Sequence, residues 1–317
     1  MFCFDVVKLY PSIPREEGIK ACKKALDTRK NKEIPTNDIL EMIKLVLEGN
    51  NFRLIDRDFL QNEGVAIGSK LGKNFACTYM RQWDKALEKF KEKPLFYKRF
   101  IDDGFGIWTH GEQKLKEFMD FANSINDKIK VELRYNSNQI EFLDTLVKIK
   151  NGKLTTDLYT KPTDKHIYVH SKSCHPKNVK KAIPYGLALR LRRICENEDD
   201  YQKHRQELKL QLRKRGYNGK FIENQLKRAD DLNRKELLQR KNKIKKTSER
   251  IPLVVTFTDL LPDIHDIVKK RINILHNCNL MKEIFPEPPL VAYRRDRNLA
   301  DIIVHGKVNI LLKNYKD

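Results

Sequence analysis

Two adjacent carboxylates between apolar flanks, Arg99-Phe100-Ile101-Asp102-Asp103-Gly104-Phe105-Gly106-Ile107, limit the folds open to this chain more than any other stretch. The flanks are aromatic and β-branched and a glycine follows the acids. The segment therefore reads as a strand, a tight turn carrying both acids, and a second strand. Neighbouring anions repel, and a hairpin tip tolerates them if water solvates them or if a divalent cation joins them to a third acid. A third acid stands at the start of the chain. Phe2-Cys3-Phe4-Asp5-Val6-Val7 has the pattern of a buried strand with one carboxylate, which is costly unless a cation or a hydrogen-bond network meets it. One acid on a strand and two at a hairpin tip make the ligand set of a two-metal phosphoryl-transfer site, with ions about 3.5 to 4 Å apart.

The chain has 317 residues and a formal charge of +21 at pH 7, a length that suggests two domains. The charge is uneven. Residues 101–150 hold 7 Lys or Arg and 9 acids, whereas residues 201–250 hold 17 and 6. A slightly acidic segment beside a strongly basic one suits a metal site next to a surface that follows nucleic-acid phosphates. An anionic membrane is the other polyanion to consider, but no basic amphipathic helix with an aromatic face stands out. Without a long apolar run or a signal peptide, the expectation is an intracellular chain with no membrane partner. The six cysteines lack paired spacing and read as reduced thiols. His166, His170, Cys174 and His175 crowd together without a second ligand pair at a zinc spacing, so they read as a polar, capping loop.

In chain order, a helix opens at Pro14 with Ile19, Cys22 and Leu26 in step, and a second at the cap Thr36 or Asn37 with Ile39, Ile43, Val46 and Leu47 on one face until Gly49. Both are expected under the sheet. Phe52 to Ile55 and Phe59 to Gln61 read as a hairpin. Gly64, Gly68 and Gly72 mark a loop, followed by a helix to about Phe90 with Leu71, Phe75, Tyr79, Trp83, Leu87 and Phe90 as its buried stripe. After the acid hairpin come a helix over 111–125 with Leu115, Phe118, Met119 and Ala122 inward, and strands over 130–134 and 139–148. That order is a split βαβ type of antiparallel sheet. Lys148 or Lys150 is read as an edge lysine rather than a proton donor. From about Val179 the chain turns helical and basic, with Ile183, Leu187, Leu191, Ile194, Leu208, Leu210 and Leu212 inward. Arg190, Arg192, Arg193, Arg213, Lys214 and Arg215, the run 241–246, and later Arg294 and Arg295 are candidate phosphate contacts, which position a nucleic acid without reading it. A strand over 251–257, a helix over 263–275 and a Pro-rich linker over 286–289 complete the chain.

Phe4-Asp5-Val6-Val7-Lys8-Leu9-Tyr10-Pro11-Ser12-Ile13-Pro14 resembles the first catalytic motif of reverse transcriptases. Gly64-Val65-Ala66-Ile67-Gly68-Ser69-Lys70-Leu71-Gly72 resembles their template-binding motif, and Arg99 to Asp103 their paired-aspartate motif. Ile140 to Asp144, Leu158 to Thr163, Ser173 to Pro176 and Val291 to Leu299 extend the resemblance to the Penelope-like retroelement reverse transcriptases. It implies an α+β fold: a right-hand polymerase palm (antiparallel sheet with packed helices, split βαβ type) over residues 1–160 and a basic, mostly helical thumb and C-terminal region over 161–317. The fingers and the GIY-YIG endonuclease of such proteins are expected to be absent. The implied activity is RNA-directed DNA polymerisation, with Asp5, Asp102 and Asp103 as catalytic residues holding two Mg²⁺ ions, Mn²⁺ being the substitute. The aromatic ring of Tyr10 would lie under the sugar and exclude a 2′-hydroxyl, and Gly68 and Ser69 would meet the template base and the incoming nucleotide. Lys70 and Lys73 stand where many relatives have proline. The implied partners are an RNA template, a DNA primer or RNA–DNA hybrid, and dNTPs, in the nucleus. The alternative is a catalytically inactive nucleic-acid-binding remnant of such a polymerase. A telomerase-like polymerase would carry a dedicated RNA-binding domain, for which the chain offers no segment.

Overall fold

Along the first strand Phe2 and Phe4 alternate with Cys3 and Asp5, and a period of two sends the pairs to opposite faces of any sheet that contains them. The computed structural model, which describes residues 1–54, 57–239 and 250–297, has this arrangement. The chain divides into two compact units, Met1–Thr160 and Lys161–Asp317.

The first unit runs β1 (Phe2–Val6), α1 (Leu9–Ser12), α2 (Arg15–Asp27), α3 (Thr36–Glu48), β2 (Asn51–Leu54), β3 (Arg57–Leu60), α4 (Gly72–Leu87), β4 (Phe96–Phe100), β5 (Asp103–Ile107), α5 (Gly111–Ser124), β6 (Val131–Tyr135), β7 (Gln139–Phe142), β8 (Thr145–Lys150) and β9 (Lys153–Leu158). Four strands form an antiparallel sheet in the order β4-β5-β1-β6, so β1 is flanked on both sides. One face carries Phe2, Phe4 and Val6, packed with Cys22 of α2, Phe75, Met80 and Trp83 of α4, and Phe118 and Met119 of α5. The Phe4 ring meets Trp83 edge-on at 5.8 Å and the Phe2 ring meets Phe118 at 6.1 Å. Burying each such ring contributes on the order of 1.5 to 3 kcal/mol. On the other face Cys3 packs with Phe105 and Ile140.

Gly104 and Gly106 sit in β5, opposite Phe4 and Phe2. A Cβ at either position would come within 2.3 Å of the facing ring. Gly104 is therefore not the turn residue the sequence suggested. It lets an aromatic ring lie flat on the neighbouring backbone. The two-residue turn is Ile101-Asp102, and Asp103 already belongs to β5.

Expected helix faces on α4 and α5 match the buried residues Phe75, Tyr79, Trp83, Leu87, Leu115, Phe118, Met119 and Ala122. On α3 the stripe differs: Leu40 and Leu47 are buried while Val46 is 49% exposed. Its entry also differs, because Pro35 precedes Thr36 and no side chain caps the helix. The strand expected over 139–148 breaks at Leu143, whose φ of 54° reverses the chain. β7, β8 and β9 then form a separate three-stranded sheet, in which Lys148 donates to Asp157 at 2.6 Å. Ile55, part of the expected hairpin of β2 and β3, lies outside the described residues.

The second unit runs α6 (Lys177–Ile194), α7 (Glu198–Lys214), α8 (Gly219–Asp230), α9 (Arg234–Leu238), β10 (Pro252–Thr256), α10 (Ile264–His276), α11 (Asn279–Ile284) and β11 (Leu290–Arg294). Asn197, Asn218 and Asn233 cap α7, α8 and α9 through their side chains, each stabilising by about 1 kcal/mol. Leu191, Tyr201, Leu208, Leu212, Ile222 and Leu226 are buried, whereas Leu210 is exposed because two residues along a helix is more than half a turn. Arg205 is buried and its guanidinium donates to Asp230 and to Glu223, while the Tyr201 hydroxyl donates to Asp230 at 2.5 Å. β10 and β11 pair in parallel. Neither β11 nor α11 was anticipated, since the Pro-rich stretch before Arg294 read as linker. The basic run 241–246 and residues 298 and 299 lie outside the described residues.

Two outcomes follow for stability. Gly104→Ala forces the Phe4 ring aside and should cost about 1 to 3 kcal/mol in urea unfolding. Hydrogen bonds from Arg205 and Lys209 hold the Glu223 carboxyl down to about 2. Its contribution is fully present above the ordinary Glu range and is lost as pH falls toward about 2. Glu223→Gln should flatten that acid-side loss in circular dichroism melts.

Candidate active site

Asp5 precedes the last residue of β1, and its register partners are Asp103 on β5 and Glu132 on β6. Residues directly opposite on antiparallel strands share a face, with Cβ atoms about 4.5 to 5.5 Å apart. Three carboxylates therefore form a row across three strands, on the face away from the helices. Asp102 stands at the turn beside them, its carbonyl accepting from the Val6 N–H at 3.1 Å. The turn is strained. Ile101 is β-branched yet has a φ of 58°, a backbone region that costs such residues roughly 1 to 3 kcal/mol. Arg99, largely buried, holds the tip by pairing with Asp84 of α4 at 2.5 Å and donating to the Ile101 carbonyl. The Tyr97 hydroxyl donates to the same Asp84 at 3.0 Å.

Partial burial raises the Asp5 carboxyl above the usual range, and the charges of Asp102 and Glu132 raise it further against a smaller effect of Arg134. Asp5 itself is exposed rather than buried as its sequence context suggested. Its cost is therefore mainly poor company and incomplete solvation rather than full burial. Neither the Asp5 nor the Asp102 side chain makes a hydrogen bond or ion pair among the described residues. These are hard oxygen donors in mutual repulsion, which suits Mg²⁺. The oxygens of Asp5, Asp102 and Asp103 are not all within 4.8 Å of one another, so the three share an edge without closing on a single ion.

Tyr10, in α1, is brought to the same end of β1, and its carbonyl accepts from the Val65 N–H at 2.9 Å. Gly64, at φ 65°, lies so close to Tyr10 and Pro11 that a Cβ would come within 2.5 Å of their backbone. Arg15 ties this loop down by donating to the Gly64 carbonyl at 3.0 Å. Burial and the charge of Asp102 both raise the Tyr10 phenol, so ring and acid lie within electrostatic reach. Gly68 stands clear of other residues, and the Ser69 hydroxyl accepts from the Leu71 N–H at 3.2 Å.

In the second unit several candidate phosphate contacts have structural partners. Arg192 pairs with Glu198 at 2.7 Å and lies over the Tyr201 ring. Arg215 donates to the Tyr168 carbonyl at 2.6 Å, and Arg294 to Thr256 at 2.8 Å. Arg190, Arg193, Arg213, Lys214 and Arg295 are exposed. Sequence reasoning passed over Glu132, whose place beside Asp5 depends on strand register, and the exposed stripe Lys220, Asn224 and Lys227 of α8, which helical spacing could have found. His166, His170, Cys174 and His175 form no metal-ligating group among the described residues. Instead His170 accepts from the Lys172 N–H and His175 lies 3.1 Å from the Ser173 hydroxyl. None of the six cysteines forms a disulfide among the described residues. No helix among the described residues is long and apolar enough to cross a membrane.

Residues 167–227 match the animal helix-turn-helix domain family, a span that takes in α6, α7 and most of α8, with the α7–α8 turn at Arg215 to Asn218. No curated protein matches the chain. Among solved structures the chain is similar to telomerase from Candida albicans in complex with the TWJ fragment of telomeric RNA, with TM-score 0.51 and 12% identity over 74% of this chain and 46% of that one. Apo telomerase from Candida tropicalis aligns with TM-score 0.44 and 12% identity over 74% of this chain and 43% of that one. The chain spans less than half the length of these telomerases. At such identity the likeness is one of fold: the structural neighbours are telomerase reverse transcriptases, and this chain shares a mixed α/β architecture of antiparallel sheet and helices.

Without divalent cations, Asp5→Asn should raise the thermal midpoint at pH 7. At low pH both forms carry a neutral side chain and the difference should vanish. It should open as pH rises through the ordinary Asp range of about 4, because the folded protein disfavours the carboxylate. Differential scanning fluorimetry across pH reads this directly.

Proposed function

We propose that the chain is the palm and thumb portion of an RNA-directed DNA polymerase of retroelement origin, of the Penelope-like kind. The observation that carries this reading is the register of β1 on β5, which sets Asp5 across from Asp103 with Asp102 at the adjoining tip. The motif resemblance and the fold likeness to a telomerase support it.

Asp5, Asp102 and Asp103 would hold two Mg²⁺ ions, which supply activation of a primer 3′-hydroxyl and neutralise triphosphate charge. The chain's own residues do the positioning. Strand pairing fixes the donors of Asp5 and Asp103, and the Arg99–Asp84 pair keeps the Asp102 turn from relaxing. Tyr10, packed against the Gly64 loop at the end of β1, would lie under the sugar and exclude a 2′-hydroxyl, favouring dNTPs. Gly68 and Ser69, in the loop that Gly64 anchors, would meet the template base and incoming nucleotide. Exposed Arg193, Arg213 and Lys214 would grip the template and primer through phosphates.

A second reading rests on the helix-turn-helix match alone. In it the second unit binds nucleic acid through the exposed Lys220, Asn224 and Lys227 of α8, and the acids are unused. Primer extension on an RNA template with Mg²⁺ separates the two. Under the polymerase reading, Asp102→Ala with Asp103→Ala should drop extension to about 1% or less of wild type while nucleic-acid affinity stays within about threefold. No extension by either protein, with binding intact, supports the binding module instead.

A further inference from the structure

α2 and α4 each turn one stripe of residues to the Phe2 and Phe4 face of the sheet. The adjoining stripes face solvent and enclose a cavity of about 330 Å³. Its floor includes Ala21, Ala25 and Ala86, whose side chains end at Cβ and leave a trough. Its rim carries Lys24, Arg81, Lys85 and Lys89, and no carboxylate lines it. None of these four cations has an ion pair among the described residues. Arg81 and Lys85 stand one turn apart on α4, about 6 Å along its axis, and Lys89 lies just past the end of the helix. A second cavity of about 230 Å³ shares Lys24 and Gln82 and adds Lys20. Trp83 also lines it, and its buried indole N–H has no acceptor among the described residues. Glu17 is the acid there, and its carboxylate already accepts from Tyr79 and Asn126.

The groove also has features that a bare phosphate would not need. Thr28 and Thr78 donate their hydroxyl protons to the Ala25 and Asn74 carbonyls at 2.8 and 2.7 Å. Toward the groove they can only accept. A phosphodiester offers no donor, whereas a ribose 2′-hydroxyl does. A trough between neighbouring helices, whose axes typically lie about 8 to 10 Å apart, admits one strand rather than a duplex. The aromatic residues of the adjoining cavity, Tyr79 and Trp83, are buried and offer no platform for bases. We infer that the α2–α4 groove binds the backbone of single-stranded RNA, on the side of the sheet away from Asp5 and without reading bases. This site is separate from the acid row and stands whether or not the chain polymerises.

The test uses the full chain and 20-nucleotide single strands of mixed sequence, titrated by fluorescence anisotropy between 50 and 200 mM KCl. Arg81→Gln, Lys85→Gln and Lys89→Gln together should weaken RNA binding about tenfold and make the salt dependence shallower by about 2, near 0.7 for each lost phosphate contact. A control in which exposed Lys23, Lys30 and Lys32 are all changed to Gln removes the same charge outside the groove. It should leave the salt slope within about 0.5 of wild type. Wild type should bind RNA more tightly than DNA of the same sequence, and the groove variant should narrow that gap. The inference is overturned if the control weakens binding equally, if the groove variant leaves the slope unchanged, or if only duplex binding suffers. Equal affinity of wild type for RNA and DNA overturns it as well. So does displacement of the RNA by poly-glutamate at lower charge concentration than by unlabelled RNA, which would mark an acidic protein segment as the occupant. Thermal melts matching wild type for both variants confirm that folding is not what is being read.

Discussion

The contact on which the first unit depends is that of two phenylalanine rings with two glycines. Phe4 and Phe2 lie against Gly104 and Gly106 of the neighbouring strand. No side chain fits between ring and backbone, so β1 and β5 have one close-packed alignment. A slip of one residue would send Phe2 and Phe4 to solvent and Asp5 into the core, each unfavourable. The same alignment sets Asp5 against Asp103. Core packing and the acid row are thus two faces of one register.

The acid row stores energy that the rest of the unit supplies. Three like charges stand across adjacent strands, a fourth lies at the turn, and the turn contains a β-branched residue in the left-handed region. Clusters of this sort persist only where surrounding structure over-determines them. Here the buried aromatic core and the Arg99–Asp84–Tyr97 network do so. Divalent cations would relieve the repulsion, which is why the arrangement favours a metal-dependent reading over a solvated turn.

Much of this was legible in the sequence. The alternation in Phe2 to Val6, the paired acids, and the stripes of α4 and α5 are local patterns, and local patterns survive folding where an amphipathic face has a core to meet. What escaped is non-local. Glu132 joins the row only through the pairing of β6 with β1, which no spacing announces. Gly104 read as a turn residue because its need is set by a ring a hundred residues away. The break at Leu143 separated β7 from β8 without a glycine or proline to mark it, and β11 followed prolines that read as linker. On α3 the expected face of Ile39, Ile43, Val46 and Leu47 was only partly right, since Val46 is exposed and Leu40, which was not counted, is buried. Arg192 and Arg215 read as phosphate contacts by charge alone, and within their unit Arg192 pairs with Glu198 and Arg215 donates to the Tyr168 carbonyl, partners no local pattern announced.

The central claim is that acids distant in sequence share divalent cations at one end of the central strands of one sheet. Iron(II) substituted for Mg²⁺, with ascorbate and peroxide, cleaves backbone within reach of the bound ion, and the cut sites can be mapped by mass spectrometry. Cuts should gather around residues 4–6 and 101–104, fade with excess Mg²⁺, and disappear in Asp5→Asn. Cleavage confined to other segments, or unaffected by Mg²⁺, would contradict the account.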